Sequence, residues 1–211
     1  MIDAPFPWFG GKRRVAPILA LATADEIMSR PPALARIVRP VGVGVRVARF
    51  ALPLELCHCV MFACVLSLLR PNRLASEVAY FCGLAGTLPA TITPDIGRGF
   101  PSWEYIQFFW AHGGVLLAVV FLIAGQGFKP RPGSMWRVFI AVNVYAAVVG
   151  AADAALGWNY GYLCEKPAHP SLMDYLGPWP WYILSLEAVA IAGFWLLDLP
   201  WRLARRRAGA A

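Results

Sequence analysis

The chain is 211 residues long, 59% apolar and only 15% charged, with nine Trp and a formal net charge of +7. Soluble domains sit near ~45–50% apolar and ~25% charged, so this balance excludes an ordinary water-soluble domain and points to an integral membrane protein. The placement of the charge argues against a nucleic-acid surface: eight of the 19 basic residues precede residue 51, and Arg202, Arg205, Arg206 and Arg207 sit in the tail, flanking hydrophobic spans as topology signals do.

In chain order, residues 1–50 form a basic N-terminal segment of their own. Asp3, Lys12, Arg13, Arg14, Arg30, Arg36, Arg39, Arg46 and Arg49 interrupt every apolar stretch. The longest stretch, 15–22, contains Pro17 and is too short to span. No adequate apolar region with a small-residue cleavage site follows Lys12–Arg14, so a signal peptide is not expected. Residues 33–50 read as a basic segment on the membrane surface or left disordered. Pro5-Phe6-Pro7-Trp8-Phe9-Gly10-Gly11-Lys12 resembles the opening motif of Dam-type DNA adenine methyltransferases, where Gly-Gly-Lys helps bind S-adenosylmethionine. Neither an Asp-Pro-Pro-Tyr-like motif nor an α/β pattern follows, so no methyltransferase, cofactor or nucleic-acid partner is expected.

Residues 51–201 carry five hydrophobic segments, 51–69, 74–92, 105–125, 135–156 and 180–199. A bilayer offers no backbone partners, and a helix satisfies its own, so these read as transmembrane helices. The predicted fold is all-α, a polytopic bundle of five spans. Pro71, Pro94, Pro101, Pro130, Pro132, Pro167 and Pro178 punctuate the connections, as chain breakers do. The first connection carries Arg70 and Arg73, the third Lys129, Arg131 and Arg137, and the basic tail 202–211 four Arg; the second and fourth carry Arg98 and Lys166 alone. The positive-inside rule then puts the tail in the cytoplasm of a multi-pass cell-membrane protein. It also runs the first span inward, which strands the arginine-rich segment 1–50 outside. Further helices before residue 51 in an intact relative would resolve that conflict.

Cys57, Cys59, Cys64 and Cys82 lie in apolar runs and only Cys164 lies in a loop, so no disulfide framework is expected. Cys59, Cys64 and Cys82 read as small hydrophobes. Glu77 reads as a partner of Arg73 four residues before it. Trp103, Trp110, Trp158, Trp179 and Trp181 read as an interfacial aromatic belt. His58, His112 and His169 lack metal-ligand spacing, so no metal is expected. Asp95, Arg98, Glu104, Asn159, Tyr160, Lys166, His169 and Asp174 give the outer loops mixed charge, fitting either a head-group lid or a solvated surface.

Leu52-Pro53-Leu54-Glu55-Leu56-Cys57, Glu77-Val78-Ala79-Tyr80-Phe81-Cys82-Gly83, Thr93-Pro94-Asp95, Gln107-Phe108-Phe109 with His112, Asn159-Tyr160, Tyr162-Leu163, Lys166-Pro167 and Leu176-Gly177-Pro178-Trp179-Pro180-Trp181-Tyr182 together resemble the bacterial YwaF-like integral membrane proteins. These are related to a eukaryotic multi-pass family with a proposed phospholipid acyltransferase role. The resemblance covers residues 51–200 and implies a seven-helix relative of which this chain lacks the first two helices. It places the proposed acyl-transfer residues on Cys57 and His112, with membrane lipids as partners. Where members often have His, this chain has Glu55, and a His stands instead at position 58.

Counted from the segment starts, Cys57, His112 and Glu187 fall at one level, roughly 10 Å below the outer boundary at the helical rise. Asp153 lies slightly above. A His can take a thiol proton and the thiolate can attack an ester or thioester, with Glu187 or Glu55 orienting the imidazole. Glu55, Asp95, Gln107, Asp153, Asn159 and Lys166 are the candidates for substrate binding. Two functions fit this layer. One is a membrane-bound acyltransferase or thioesterase; the other is a non-catalytic transporter or lipid-binding helper whose polar layer binds a solute or locks helices.

Overall fold

The computed structural model describes residues 52–94, 96–167 and 171–209; the methyltransferase-like motif and the basic segment 33–50 lie outside them. Among the described residues every regular element is helical: α1 (Leu56–Leu69), α2 (Arg73–Cys82), a π-helical turn (Gly83–Thr87), α3 (Leu88–Ile92), α4 (Trp103–Ala124), α5 (Ser134–Leu156) and α6 (Trp181–Ala208), with two short 3-10 turns (Tyr160–Tyr162 and Leu172–Leu176). α2, the π turn and α3 run on as one rod, so the five expected spans appear as five rods in the expected order. The chain is a helical membrane bundle.

α4, α5 and α6 are long and apolar enough to cross a bilayer, and α1 is a shorter apolar helix of 14 residues. It starts five residues later than expected. Glu55 is still extended (φ −65°, ψ 144°), and Pro53, lacking an N–H and fixing its own φ, favours that extended entry. The other boundaries follow local chemistry. Asn72 accepts the Ala75 amide at 3.0 Å ahead of α2, and Ser102 accepts the Tyr105 amide at 3.2 Å ahead of α4. Gly133 and Gly157 bracket α5 in left-handed conformation, φ 76° and 69°, which glycine adopts without strain.

The rod containing α2 is the centre of the bundle. Val60 and Cys64 of α1, Ala79, Tyr80, Phe81 and Cys82 of α2, Val115, Val119 and Leu122 of α4, Met135 and Val138 of α5, and Phe194 of α6 form one buried core. Elsewhere the helices are apolar on their outward faces, with Phe62, Leu117, Val148 and Leu196 all exposed. Exposed apolar surface on that scale needs lipid to cover it. The π turn answers a local conflict. Pro89 would press its ring on the carbonyl four residues back and cannot donate to it, and widening one turn to π geometry relieves both. Gly83 opens that turn where α1, α2 and α4 meet: a Cβ there would lie 3.0 Å from Val119 Cγ2 and 3.2 Å from Val115 Cγ1.

One end of the bundle is tied by ions. Glu77, wholly buried, accepts Arg131 Nε at 2.7 Å and Nη2 at 2.9 Å, Arg137 Nη2 at 3.2 Å and Ser134 Oγ at 2.6 Å. Its partners are therefore across the bundle, not the expected Arg73. A buried carboxylate needs several donors, and a single exposed arginine on its own helix supplies too few. On α6, buried Asp198 accepts Arg202 Nε at 2.5 Å and Arg205 Nη2 at 3.2 Å, and Arg205 Nη1 donates to the Pro130 carbonyl at 3.0 Å. Trp201 donates to the Tyr80 hydroxyl at 2.9 Å, and that hydroxyl donates to the Leu197 carbonyl at 2.9 Å. The Glu77 contact raises the Arg131 pKa above the ordinary guanidinium value, so this pairing persists at any pH that keeps Glu77 ionised.

Two outcomes test this packing in detergent-solubilised protein. Glu77→Gln should lower unfolding stability by about 2 kcal/mol, since it removes charge-assisted bonds and leaves arginines facing a buried amide; an unchanged unfolding midpoint would show that the tie contributes nothing. Gly83→Val should cost about 1–3 kcal/mol through overpacking, whereas Gly86→Ala, with nothing within 4 Å of the added Cβ, should be neutral or slightly stabilising.

Candidate functional site

The opposite end of the bundle gathers polar groups with far fewer partners. It is built from the first turn of α1, the middle of α5, the loop 157–167 and a histidine of α4. Glu55, the N-cap of α1, makes no cap bond to its own helix; its Oε2 instead accepts the Gly161 amide at 2.8 Å. The Tyr145 hydroxyl donates to the Leu54 carbonyl. These two bonds fasten the entry of α1 to α5 and the loop, so that residues 54–59 are held beneath residues 158–163. Val149, Trp158 and Tyr160 form a second small core there, with Leu54, Tyr145, Leu156 and Leu163 packed against it.

Within this region Cys57, Cys59, Glu55 and Asp153 all lie within electrostatic reach of the Tyr145 hydroxyl. Asp153 is 1% exposed, with the Tyr160 backbone beside it, yet its carboxylate oxygens lack well-formed hydrogen bonds among the described residues. His58 has a buried Nδ1 in the same condition. Unpaired buried polar atoms are uncommon and need a reason.

His112 is buried in α4. Its Nδ1 lies 2.9 Å from the Phe108 carbonyl, and its ring stacks on Phe108 with centroids 3.9 Å apart. A carbonyl can only accept, so Nδ1 carries the proton and neutral His112 keeps a basic lone pair on Nε2. His112 and Cys57 share no hydrogen bond; the neighbour within electrostatic reach of His112 is His58, which also senses Glu55.

The remaining candidates divide. Glu187 accepts Asn143 Nδ2 at 3.1 Å and so ties α6 to α5, while the hydrogen bond orienting the imidazole comes from Phe108. Asn159 is the keystone of the loop: its Oδ1 accepts the Cys164 and Glu165 amides at 3.0 and 2.9 Å, and its Nδ2 donates to the Glu165 carbonyl at 3.0 Å. Lys166 Nζ sits 5.5 Å over the Tyr182 ring; Tyr182 donates to the Tyr162 carbonyl and Trp179 to the Leu163 carbonyl at 3.2 Å. The loop is thereby latched to the start of α6. Gln107 is exposed on α4. Asp95 and His169 lie outside the described residues. Trp103, Trp110, Trp179 and Trp181 are exposed as a belt requires, but Trp158 is buried in the second core.

The helical count behind the common depth expected for Cys57, His112 and Glu187 does not apply to the entry of α1. Cys57 is the second residue of α1, whereas His112 is the tenth of α4 and Glu187 the seventh of α6. The count from residue 51 treated the extended entry as helix. What the structure adds to the candidates is His58 and Tyr145. Both carried a sequence signal: each is a polar side chain in an apolar run, the first beside Cys57, the second with a hydroxyl that must find an acceptor.

No curated protein and no solved structure matches the chain. The TMEM164 family matches over residues 34–198, from before the first described helix to the last turns of α6. With that match covering well over half its length, the chain belongs to the TMEM164 family.

Proposed function

We propose that this membrane protein is a lipid acyltransferase of the YwaF-like group, with Cys57 as nucleophile and His112 as general base, working in the outer half of the cell membrane with its basic tail in the cytoplasm. The observation that carries this reading is the 2.9 Å contact of His112 Nδ1 with the Phe108 carbonyl. A histidine held by Nδ1–H to a carbonyl presents a basic Nε2 in a region that also contains a thiol, Cys57, and two carboxylates, Glu55 and Asp153. The same division of labour, one nitrogen fixed and the other free to take a proton, serves nucleophilic triads.

In the proposed reaction Nε2 removes the Cys57 proton as the sulfur attacks an acyl-ester carbonyl of a phospholipid. The C–O bond breaks, the thioester forms, and the departing lysolipid oxygen takes the proton back from Nε2. A second hydroxyl then attacks the thioester, losing its proton to Nε2, and the Cys57 sulfur leaves as a thiolate that recovers that proton. The acyl chain lies along the lipid-facing surface. Cys57 must approach His112 for the first step, and the entry of α1, tied to α5 and the loop by the Glu55 and Tyr145 bonds, is the segment whose movement would bring it there.

A second reading has its own observation. His112 is already stacked and hydrogen-bonded within α4, as in a structural histidine of a non-catalytic lipid-binding helper or transporter. Labelling of membranes with a lipid-like electrophilic acyl probe separates the two. Cys57→Ala should abolish labelling and His112→Ala should slow it by about 100-fold or more, the usual contribution of a general base, while Cys59→Ala should label normally. Equal labelling of all four proteins would end the acyl-enzyme proposal and leave the structural reading.

A further inference from the structure

The arginine-rich end carries a cavity of about 450 Å³ that the acyl-transfer reading does not use. It is lined by Pro132 and Gly133 from the connection before α5, and by Asp198, Arg202, Arg205 and Arg206 of α6. Three guanidinium groups against one carboxylate leave the lining with a surplus of two positive charges. The carboxylate is itself occupied. Asp198 is 1% exposed, and both its oxygens accept from Arg202 and Arg205.

That pairing organises the wall of the cavity. Arg202 is fixed by Asp198 and by Met135 Sδ, 3.8 Å from its Nη2; Arg205 is fixed by Asp198 and the Pro130 carbonyl. Each guanidinium has five N–H donors in a rigid fork, so each retains donors beyond those bonds. Arg206 is exposed and makes no hydrogen bond to the described residues, so its whole fork is available. The start of α5 adds to the same field. Gly133 offers no capping side chain, and the positive end of that 23-residue helix lies at the cavity wall. Trp136, on the first turn of α5, and Leu203, beside Arg202, are both about half exposed, placing the cavity at the membrane boundary, where aromatic side chains sit at head-group level.

We propose that this cavity binds the phosphate of an anionic phospholipid of the adjoining leaflet. Two buttressed guanidiniums and one free one match a phosphate's oxygens by charge and fork geometry. The half-exposed Trp136 and Leu203 give the acyl chains apolar contact that a soluble phosphate would lack. Basic pockets between helices on the cytoplasmic side bind lipid head groups in this way. The site stands independently of the acyl-transfer reading, since it shares no residue with it.

The test uses the full chain in a neutral detergent, titrated with dioctanoyl phosphatidylglycerol, dioctanoyl phosphatidylcholine and inorganic phosphate, with thermal midpoint and tryptophan fluorescence as readouts. Phosphatidylglycerol should raise the midpoint saturably, and the other two should not at the same concentrations. Arg206→Gln, which breaks no bond within the fold, should weaken phosphatidylglycerol binding about tenfold, and Arg70→Gln, an equal loss of charge away from the cavity, should leave it unchanged. Equal responses to the two lipids would overturn the proposal, as would an Arg206→Gln protein that titrates like wild type or an Arg70→Gln protein weakened to the same degree. Inorganic phosphate that reproduced the full effect would overturn the assignment to lipid.

Discussion

Glu77 is wholly buried in the central rod, and its charge could not be there without Arg131, Arg137 and Ser134. Because those donors come from the connection before α5 and from α5 itself, satisfying one carboxylate fixes the angle at which α5 meets α2. Asp198 repeats the arrangement for α6, through Arg205 to the Pro130 carbonyl. In a bilayer, lipid tails are as apolar as the helix faces, so apolar contact alone cannot decide which faces meet. At this end ion pairs and hydrogen bonds to specific atoms decide it, and close packing around Gly83 fills in the rest.

The two ends of the bundle contrast. At the arginine-rich end each buried acid has several donors. At the other, Asp153 and His58 Nδ1 have none that is well formed among the described residues, and the bonds that are made run from side chains to single backbone atoms of a loop. A fold that satisfies its buried acids with several donors at one end and leaves polar atoms open at the other concentrates its local conflict at that second end. The Asn159 keystone and the Tyr182 latch show that this loop is well built. The open valences beneath it are therefore not a by-product of loose structure.

Much of the fold was legible because membrane helices are specified by composition. Four of the five rods start within about two residues of the sequence reading, since Asn72, Ser102, Gly133 and Pro180 mark their boundaries by cap chemistry or turn geometry that depends on few neighbours. α1 was misread because an apolar run containing Pro53 looks continuous in composition, whereas its backbone is extended until Glu55. The π turn was not legible either, since Pro89 alone does not say whether a helix will kink, break or widen. Pairings were harder still. Arg73 is the obvious partner of Glu77 by spacing, but three-dimensional burial demanded more donors than that spacing could provide.

The candidate site was legible as residue types and not as geometry, and the difference bears on its chemistry. Sequence offers an acid, Glu187 or Glu55, to orient His112; in the fold its Nδ1 meets the Phe108 carbonyl instead. A carboxylate in that role would stabilise the imidazolium, holding the proton after transfer, whereas a neutral carbonyl fixes the tautomer with much less stabilisation of charge. The resulting base would return its proton readily, as a reaction with two successive proton hand-offs requires. Glu55, the acid within electrostatic reach of Cys57, accepts the Gly161 amide and is not hydrogen-bonded to the imidazole.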